Sequence, residues 1–175
     1  MSEQLIRMRY ENSSQALVDL VSRLTRKDVM VEIGCYTGES TCVFAQHFGR
    51  VITIDPHMSD YDEKDVAAKS DMIEVNKAFK ERTSKYNNIV HVRKLSDFAF
   101  MDIKEPIDFV YIDGMHTYEQ VFKDITNYLP LIREGGAIGG HDYHPAWPGI
   151  MKAVNQLLGG EPDEVFSDFS WLKKL

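Results

Sequence analysis

The chain has 175 residues, of which 43% are hydrophobic and 27% charged, and its formal net charge is −7. This size and composition predict one globular domain, residues 1–175. An acidic chain without a Lys/Arg cluster is a poor match for nucleic acid, and no apolar run approaches the ~20 residues of a membrane span. We therefore expect a small-molecule substrate, and neither nucleic acid nor a membrane as a partner.

Two features indicate the compartment. The first ten residues carry no apolar segment of the kind that signal peptides have. Cys35 and Cys42 do not suggest a disulfide framework. We therefore expect a cytoplasmic protein.

Apolar periodicity divides most of the chain into alternating helices and strands. In chain order we predict a helix over 11–25 capped by Asn12 or Ser13, a strand over 29–33, a helix over 39–48 ended by Gly49, and a strand over 51–55. After these we predict a helix from Ser70, strands over 89–92 and 107–113, a helix over 118–129, a strand over 137–141, a helix over 146–158, and short strands over 164–166 and 169–173.

This alternation predicts an α/β fold with a doubly wound, mainly parallel sheet. The last two short strands predict an antiparallel hairpin that closes the sheet. Residues 57–86 form a longer excursion than a crossover between strands requires, so part of this segment is predicted to be a mobile lid.

A glycine turn joins the first strand to the second helix, in the sequence EIGCYTGES at 32–40. Such a turn lets a ligand approach the backbone closely. It lacks the G-x-G-x-x-G pattern of dinucleotide sites, and Glu39 would repel phosphates at a P-loop position. The turn therefore favours a nucleoside cofactor without phosphates, with Asp55 after the second strand accepting the ribose hydroxyls.

The turn resembles motif I of class I S-adenosylmethionine-dependent methyltransferases, and is closest to catechol-type O-methyltransferases, which carry E-x-G-x-Y-x-G-x-S. The stretch DFVYIDGMHTY at 108–118 resembles a signature of the macrocin and mycinamicin sugar O-methyltransferases and of cephalosporin hydroxylase-like proteins. PLIREGG at 130–136 and HDY at 141–143 fit the same group. The resemblance implies a Rossmann-like, seven-stranded sheet with an antiparallel last strand, S-adenosylmethionine as cofactor, and methyl transfer to a hydroxyl group.

The resemblance also implies a set of cofactor-binding residues. They are Glu32, Gly34, Tyr36, Gly38, Ser40, Asp55, Ser96 and Asp113. Some have a structural alternative: Glu32 could bond to neighbouring turn amides, Tyr36 could serve packing, and Asp97 beside Ser96 could cap a helix.

A metal site is predicted where two neighbouring strands end. Asp113 closes one strand, and His141 and Asp142 close the next, so the three side chains should meet at the carboxyl edge of the sheet. Related families hold Mg²⁺ with acidic residues at matching positions, whereas imidazole favours Zn²⁺, Mn²⁺ or Fe²⁺. The alternative is an ordinary hydrogen-bonded turn without a metal.

His116 matches the presumed base of the sugar O-methyltransferases, and it would lie one helical turn after Asp113 if the helix began there. His144 is a weaker candidate, His57 is expected to face the cofactor or the lid, and His47 and His91 are expected at the surface. Two other interpretations stay open: a metal-dependent hydrolase on the same fold, and a non-catalytic cofactor-binding subunit. A sugar, a catechol-like phenol and an antibiotic precursor all fit the sequence as acceptors, and the lid can be completed by a partner subunit in a homo-oligomer.

Overall fold

The computed structural model describes residues 13–62 and 65–175. Seven strands within this part of the chain form one sheet, in the order β3-β2-β1-β4-β5-β7-β6. The strands are β1 (Val29–Ile33), β2 (Arg50–Ile54), β3 (Ile89–Val92), β4 (Ile107–Ile112), β5 (Ile132–Gly140), β6 (Glu164–Val165) and β7 (Trp171–Lys174). β1 to β5 run parallel, and β7 runs antiparallel to both β5 and β6. The predicted mainly parallel sheet with a C-terminal antiparallel hairpin is confirmed.

One helix precedes β1, four helices connect the parallel strands, and a sixth leads from β5 to the hairpin. They are α1 (Ser13–Ser22), α2 (Glu39–Ala45), α3 (Met72–Thr83), α4 (Ser96–Ala99), α5 (Tyr118–Tyr128) and α6 (Pro148–Leu157). The predicted cap Asn12 and the first two residues of the helix predicted over 11–25 lie outside the described residues. No helix of the described part has the length and apolarity to cross a bilayer.

Two hydrophobic cores sandwich the sheet, because successive side chains of a strand point to opposite faces. Val31 of β1 lies in the core formed with α5 and α6. Its neighbour Met30 lies in the other core, with Phe44 of α2 and Leu17 of α1. All five residues of β1 are buried, which explains why this central strand is apolar at every position but Glu32.

Some predicted boundaries are wrong. β5 begins at Ile132 instead of residue 137, and its register against β4 shifts between the pairs Ile107/Ile132 and Phe109/Ala137. The intervening residues bulge out, with Gly135 at φ 75°, so the start of β5 reads as a polar turn in the sequence. α2 ends at Ala45 and not at residue 48, because its last amides turn back in tighter i→i+3 bonds.

The predicted lid segment, 57–86, contains one turn of 3₁₀ helix (Ala67–Lys69) and then α3. The Asp71 side chain caps α3 by accepting a hydrogen bond from the Ile73 amide at 2.9 Å. Phe79 of α3 is buried, so the second half of the segment is a packed helix. The role of the first half as a lid stays a prediction.

Candidate functional site

A cavity of ≈850 Å³ lies at the carboxyl edge of the sheet. Small-molecule sites usually have volumes of roughly 300–1,000 Å³. The predicted site residues that line it are Gly34, Tyr36, Ser40, Asp55, Ser96, Asp113, His141 and Asp142. Of the other predicted site residues, Glu32, Gly38 and His116 do not line it.

The glycine turn needs its glycines for close approach. Gly34 has φ +84°, and a Cβ on it would lie 2.0 Å from the backbone oxygen of Asp113. Gly38 has φ +80° and precedes α2, where a Cβ would lie 2.9 Å from the Phe79 ring. The turn after β1 is therefore pressed against the turn after β4, and no residue with a Cβ fits at Gly34 without moving the backbone.

Asp55 holds this turn in place. Its Oδ2 accepts hydrogen bonds from the amides of Cys35 (3.0 Å) and Tyr36 (2.9 Å), and its Oδ1 accepts one from the His57 amide (2.8 Å). A carboxylate offers about four acceptor positions, and the Asp55 side chain is still 17% exposed. The carboxylate thus fixes the turn while one edge still faces the cavity.

Glu32 braces the turn from below. It is fully buried in β1, and its carboxylate accepts hydrogen bonds from Ser40 Oγ (2.5 Å) and Thr41 Oγ1 (2.6 Å) in the first turn of α2. Of the two predicted roles, these contacts resemble the structural one, although the donors are hydroxyls instead of turn amides. Ser40, which was also predicted to bind the cofactor, donates its hydroxyl hydrogen to Glu32.

The predicted metal ligands meet at the opposite side of the cavity. Ligand atoms of Asp113, His141 and Asp142 lie within 4.8 Å of one another, with His141 Nδ1 at 2.9 Å from Asp142 Oδ2. Asp168, from the loop between β6 and β7, adds a carboxylate oxygen 3.8 Å from His141 Nε2. Sequence analysis missed Asp168, because nothing local in the sequence places the closing hairpin beside the end of β5.

His116 lies in the loop before α5, not on the helix. α5 begins at Tyr118, as predicted, and is capped by the Thr117 side chain, so the alternative in which the helix begins at Asp113 does not hold. Its Nε2 is 3.1 Å from Asp142 Oδ2, and its Nδ1 is 3.9 Å from an Asp65 oxygen. The imidazole therefore contacts the same carboxylate as His141.

These contacts shift two pKa values. Burial alone would lower the pKa of His116, but Asp142, Asp113 and Asp65 outweigh it and raise that pKa above its ordinary value. Burial alone would raise the pKa of Asp142, but its hydrogen bonds to His116 and His141 lower it well below the usual range. Asp142 is thus a carboxylate held between two imidazoles.

A third group of polar side chains lines the cavity near the end of β3. Gln120 Nε2 lies within donating distance of Asp97 Oδ1 (2.7 Å), Ser96 Oγ (3.1 Å) and Asp124 Oδ1 (3.1 Å). Asp97 lies in the first turn of α4, where Leu95 occupies the cap position, so the alternative of Asp97 as a helix cap is wrong.

Asp124 is completely buried, and this burial raises its pKa to about 7. Gln120 and Asp124 were missed in the sequence. Their only signal is the spacing of two polar residues four apart on an otherwise amphipathic helix.

The other histidines differ in exposure. His47 is exposed, as predicted, but His91 is half-buried and not at the surface. Its ring packs 4.4 Å from that of Phe79. His57 is buried and lines the cavity, and the His144 ring packs 4.3 Å from that of Phe169.

Comparison with known proteins gives the same picture. A family model described as a methyltransferase domain matches residues 31–143. An uncharacterized protein of Acanthamoeba polyphaga mimivirus is 30% identical over 156 residues, which cover 81% of this chain and 65% of that protein. The chain thus spans slightly less than two thirds of the length of this relative.

Solved structures share the fold. An N-methyltransferase from Bradyrhizobium japonicum in complex with S-adenosyl-L-homocysteine has a TM-score of 0.64 and 16% identity, covering 92% of this chain and 83% of that one. A TDP-rhamnose 3′-O-methyltransferase of calicheamicin biosynthesis has a TM-score of 0.65 and 16% identity, covering 95% and 81%. With its seven-stranded sheet, its glycine turn and the family match across most of the cavity, this chain belongs to the methyltransferase-domain family.

Proposed function

We propose that the chain transfers a methyl group from S-adenosylmethionine to a hydroxyl oxygen of a small molecule, with help from a divalent metal ion. One observation carries the proposal: a single cavity has the glycine turn and Asp55 on one side and Asp113, His141 and Asp142 on the other. A nucleoside cofactor and a hydroxyl acceptor can therefore lie side by side between them.

The residues present fit the cofactor. Gly34 lines the cavity in the turn on which the methionine part would lie, and the partly exposed carboxylate of Asp55 can accept a ribose hydroxyl. Ser96 and Asp97 line the cavity beyond Asp55, which suits the adenine base. Glu39 also lines the cavity, and its charge disfavours cofactors that carry phosphates at the turn.

The donor set of Asp113, His141 and Asp142 fits a metal ion. Two carboxylates and one imidazole suit Mn²⁺, Fe²⁺ or Zn²⁺ better than Mg²⁺. An ion bound there would lower the pKa of an acceptor hydroxyl. The three residues come from the ends of β4 and β5, so the sheet itself fixes their separation.

His116 is the proposed proton acceptor. Its Nδ1 would receive the acceptor proton, while Nε2, 3.1 Å from Asp142 Oδ2, donates to that carboxylate, which would stabilise the imidazolium that forms. Trp147 packs on the His116 ring at 4.5 Å and lines the cavity, which keeps bulk water from the imidazole. Holding acceptor and cofactor in line supplies much of the rate in such a displacement.

Calorimetry with S-adenosylhomocysteine, with and without divalent metals, tests the cofactor. Binding of nicotinamide or nucleotide phosphates in its place would contradict the proposal. Turnover assays over sugar and phenol acceptors test the transfer. Asp113→Ala should abolish metal-dependent turnover and leave S-adenosylhomocysteine binding largely intact, whereas full activity of this variant in a chelator would exclude the metal.

A further inference from the structure

A second cluster of metal-ligating side chains lies beneath the glycine turn. Sγ of Cys35 and one ring nitrogen each of His57 and His91 lie within 4.8 Å of one another. The three residues come from the turn after β1, the segment after β2, and β3. Their proximity is thus built by the three neighbouring strands at this edge of the sheet, and it involves none of the residues proposed for methyl transfer.

The cluster is buried, and its polar atoms are incompletely paired. Cys35 is 3% exposed and His57 6%, and Phe79 packs against both imidazole rings. His57 Nε2 lies 2.9 Å from the Tyr36 carbonyl oxygen, but the buried Nδ1 has no hydrogen-bond partner among the described residues. Cys35 Sγ lies 3.9 Å from His57 Nε2, so Nε2 is the ring nitrogen placed to bind a metal beside the thiolate, in exchange for its contact with the Tyr36 carbonyl oxygen.

The local charges favour a cation. Burial raises the pKa of the Cys35 thiol well above its ordinary value, and the carboxylates of Asp55 and Glu32 raise it further. The same negative potential that disfavours a lone thiolate attracts a divalent cation, which replaces the thiol proton. Burial and the neighbouring His57 lower the pKa of His91, which favours the neutral imidazole, the form that binds metals.

We propose that Cys35, His57 and His91 bind a zinc ion beneath the glycine turn. One thiolate and two imidazoles suit Zn²⁺ and exclude Mg²⁺ and Ca²⁺. Donor atoms around a tetrahedral zinc lie about 3.3–3.7 Å apart, so the cluster closes with shifts of about 1 Å. On binding, the sulfur–zinc bond forms, the thiol proton leaves to solvent, and no electron is transferred.

The cavity supplies access to this site. Cys35 and His57 both line it, so an ion can enter from the cavity, and a water molecule can occupy the fourth coordination position. Three protein ligands and a water form a common arrangement around zinc.

Cobalt spectroscopy tests the site on the reduced full-length chain without cofactor. The measurement is made on the Asp113→Asn variant, because this substitution weakens the other candidate metal site, that of Asp113, His141 and Asp142. One equivalent of Co²⁺ should give a near-ultraviolet thiolate charge-transfer band that zinc then removes. The band should be lost in Cys35→Ser and kept in the matched control Cys42→Ser. Absence of the band, or its persistence in Cys35→Ser, would overturn the proposal.

His91→Gln decides the matter if Cys35→Ser does not fold. His91 is half-buried, and circular dichroism can establish that the variant is folded. Competition with a chromogenic chelator should then show zinc affinity weakened more than about tenfold. Unchanged affinity in a folded His91→Gln variant would refute the site. Neither outcome bears on S-adenosylhomocysteine binding, so this inference and the proposed function fail separately.

Discussion

The buried carboxyl of Asp124 should make the stability of this protein depend on pH in a definite direction. Its pKa is about 7 in the folded chain, against an ordinary value of 3.8. Below the ordinary value the group is protonated in both states, and the full stability is present. As the pH rises through the folded pKa, the charged form must be accommodated in the interior, and stability is lost.

The size of this loss follows from the two pKa values. Integration of the linkage relation gives a cost of about 1.5 kcal/mol at about pH 5 and about 4 kcal/mol at about pH 8. Asp124→Asn keeps an acceptor for Gln120 and removes the charge. The variant should therefore gain about 2.5 kcal/mol more at the higher pH than at the lower one.

Urea denaturation of the wild type and the variant at both pH values measures this double difference, which is the change in unfolding free energy on substitution at the higher pH minus that at the lower pH. The contributions of all other titrating groups cancel in it. Asp163→Asn is the control. The pKa of Asp163 is lowered, chiefly by a hydrogen bond from the Lys174 amide, so this carboxyl is ionised throughout the range and its double difference should be near zero. A double difference near zero for Asp124→Asn would show that the carboxyl titrates normally and would refute the reasoning.

Three further substitutions test the turn. Gly34→Ala should lower the unfolding free energy by about 3 kcal/mol or more, because the added Cβ meets backbone atoms. Its control outside the turn is Gly135→Ala, with φ +75° and nothing within 4 Å of an added Cβ, which should lower the unfolding free energy by about 1–2 kcal/mol. Equal losses in urea denaturation would contradict this. Glu32→Gln should lower the unfolding free energy by about 1–3 kcal/mol. An unchanged thermal midpoint would show that the hydrogen bonds of Glu32 do not stabilise the turn. Asp55→Asn should weaken S-adenosylhomocysteine binding in calorimetry at least about tenfold, and unchanged affinity would remove Asp55 from the ribose site.

The elements that sequence predicted well are those whose signal is local. β1 and β4 are buried on both faces, so each reads as an apolar run, and the glycine turn is marked by the two residues that its left-handed backbone requires. The meeting of Asp113 with His141 and Asp142 was also predictable, because strands that are neighbours in a parallel sheet end at one edge. The structure places these three ligands together.

The residues that sequence missed reach the site from elements whose position depends on tertiary packing. Asp168 arrives on the loop between β6 and β7, and Asp65 on the long segment after β2, and neither has a spacing that relates it to His116 or His141. The position of His116, in contrast, follows from the predicted start of its neighbouring helix at residue 118. Thr117 caps α5, so the helix begins two residues after His116, and the histidine stays in the loop.

The strand order explains why one cavity can serve both halves of the proposed reaction. β1 is central: the chain runs from it to β2 and β3 on one side and then crosses from β3 to β4 on the other side, so the crevice opens above the carboxyl end of β1. Asp55 stands on the β2 side and Asp113 on the β4 side, and the Gly34 turn lies between them in contact with both loops. A ligand lying on that turn must therefore extend from a carboxylate that can hold a sugar to a cluster that can hold a metal. This separation by a single strand matches a cofactor whose reactive sulfonium is a few bonds from its ribose, and it is the reason why substitutions at Asp55 and at Asp113 should affect different steps.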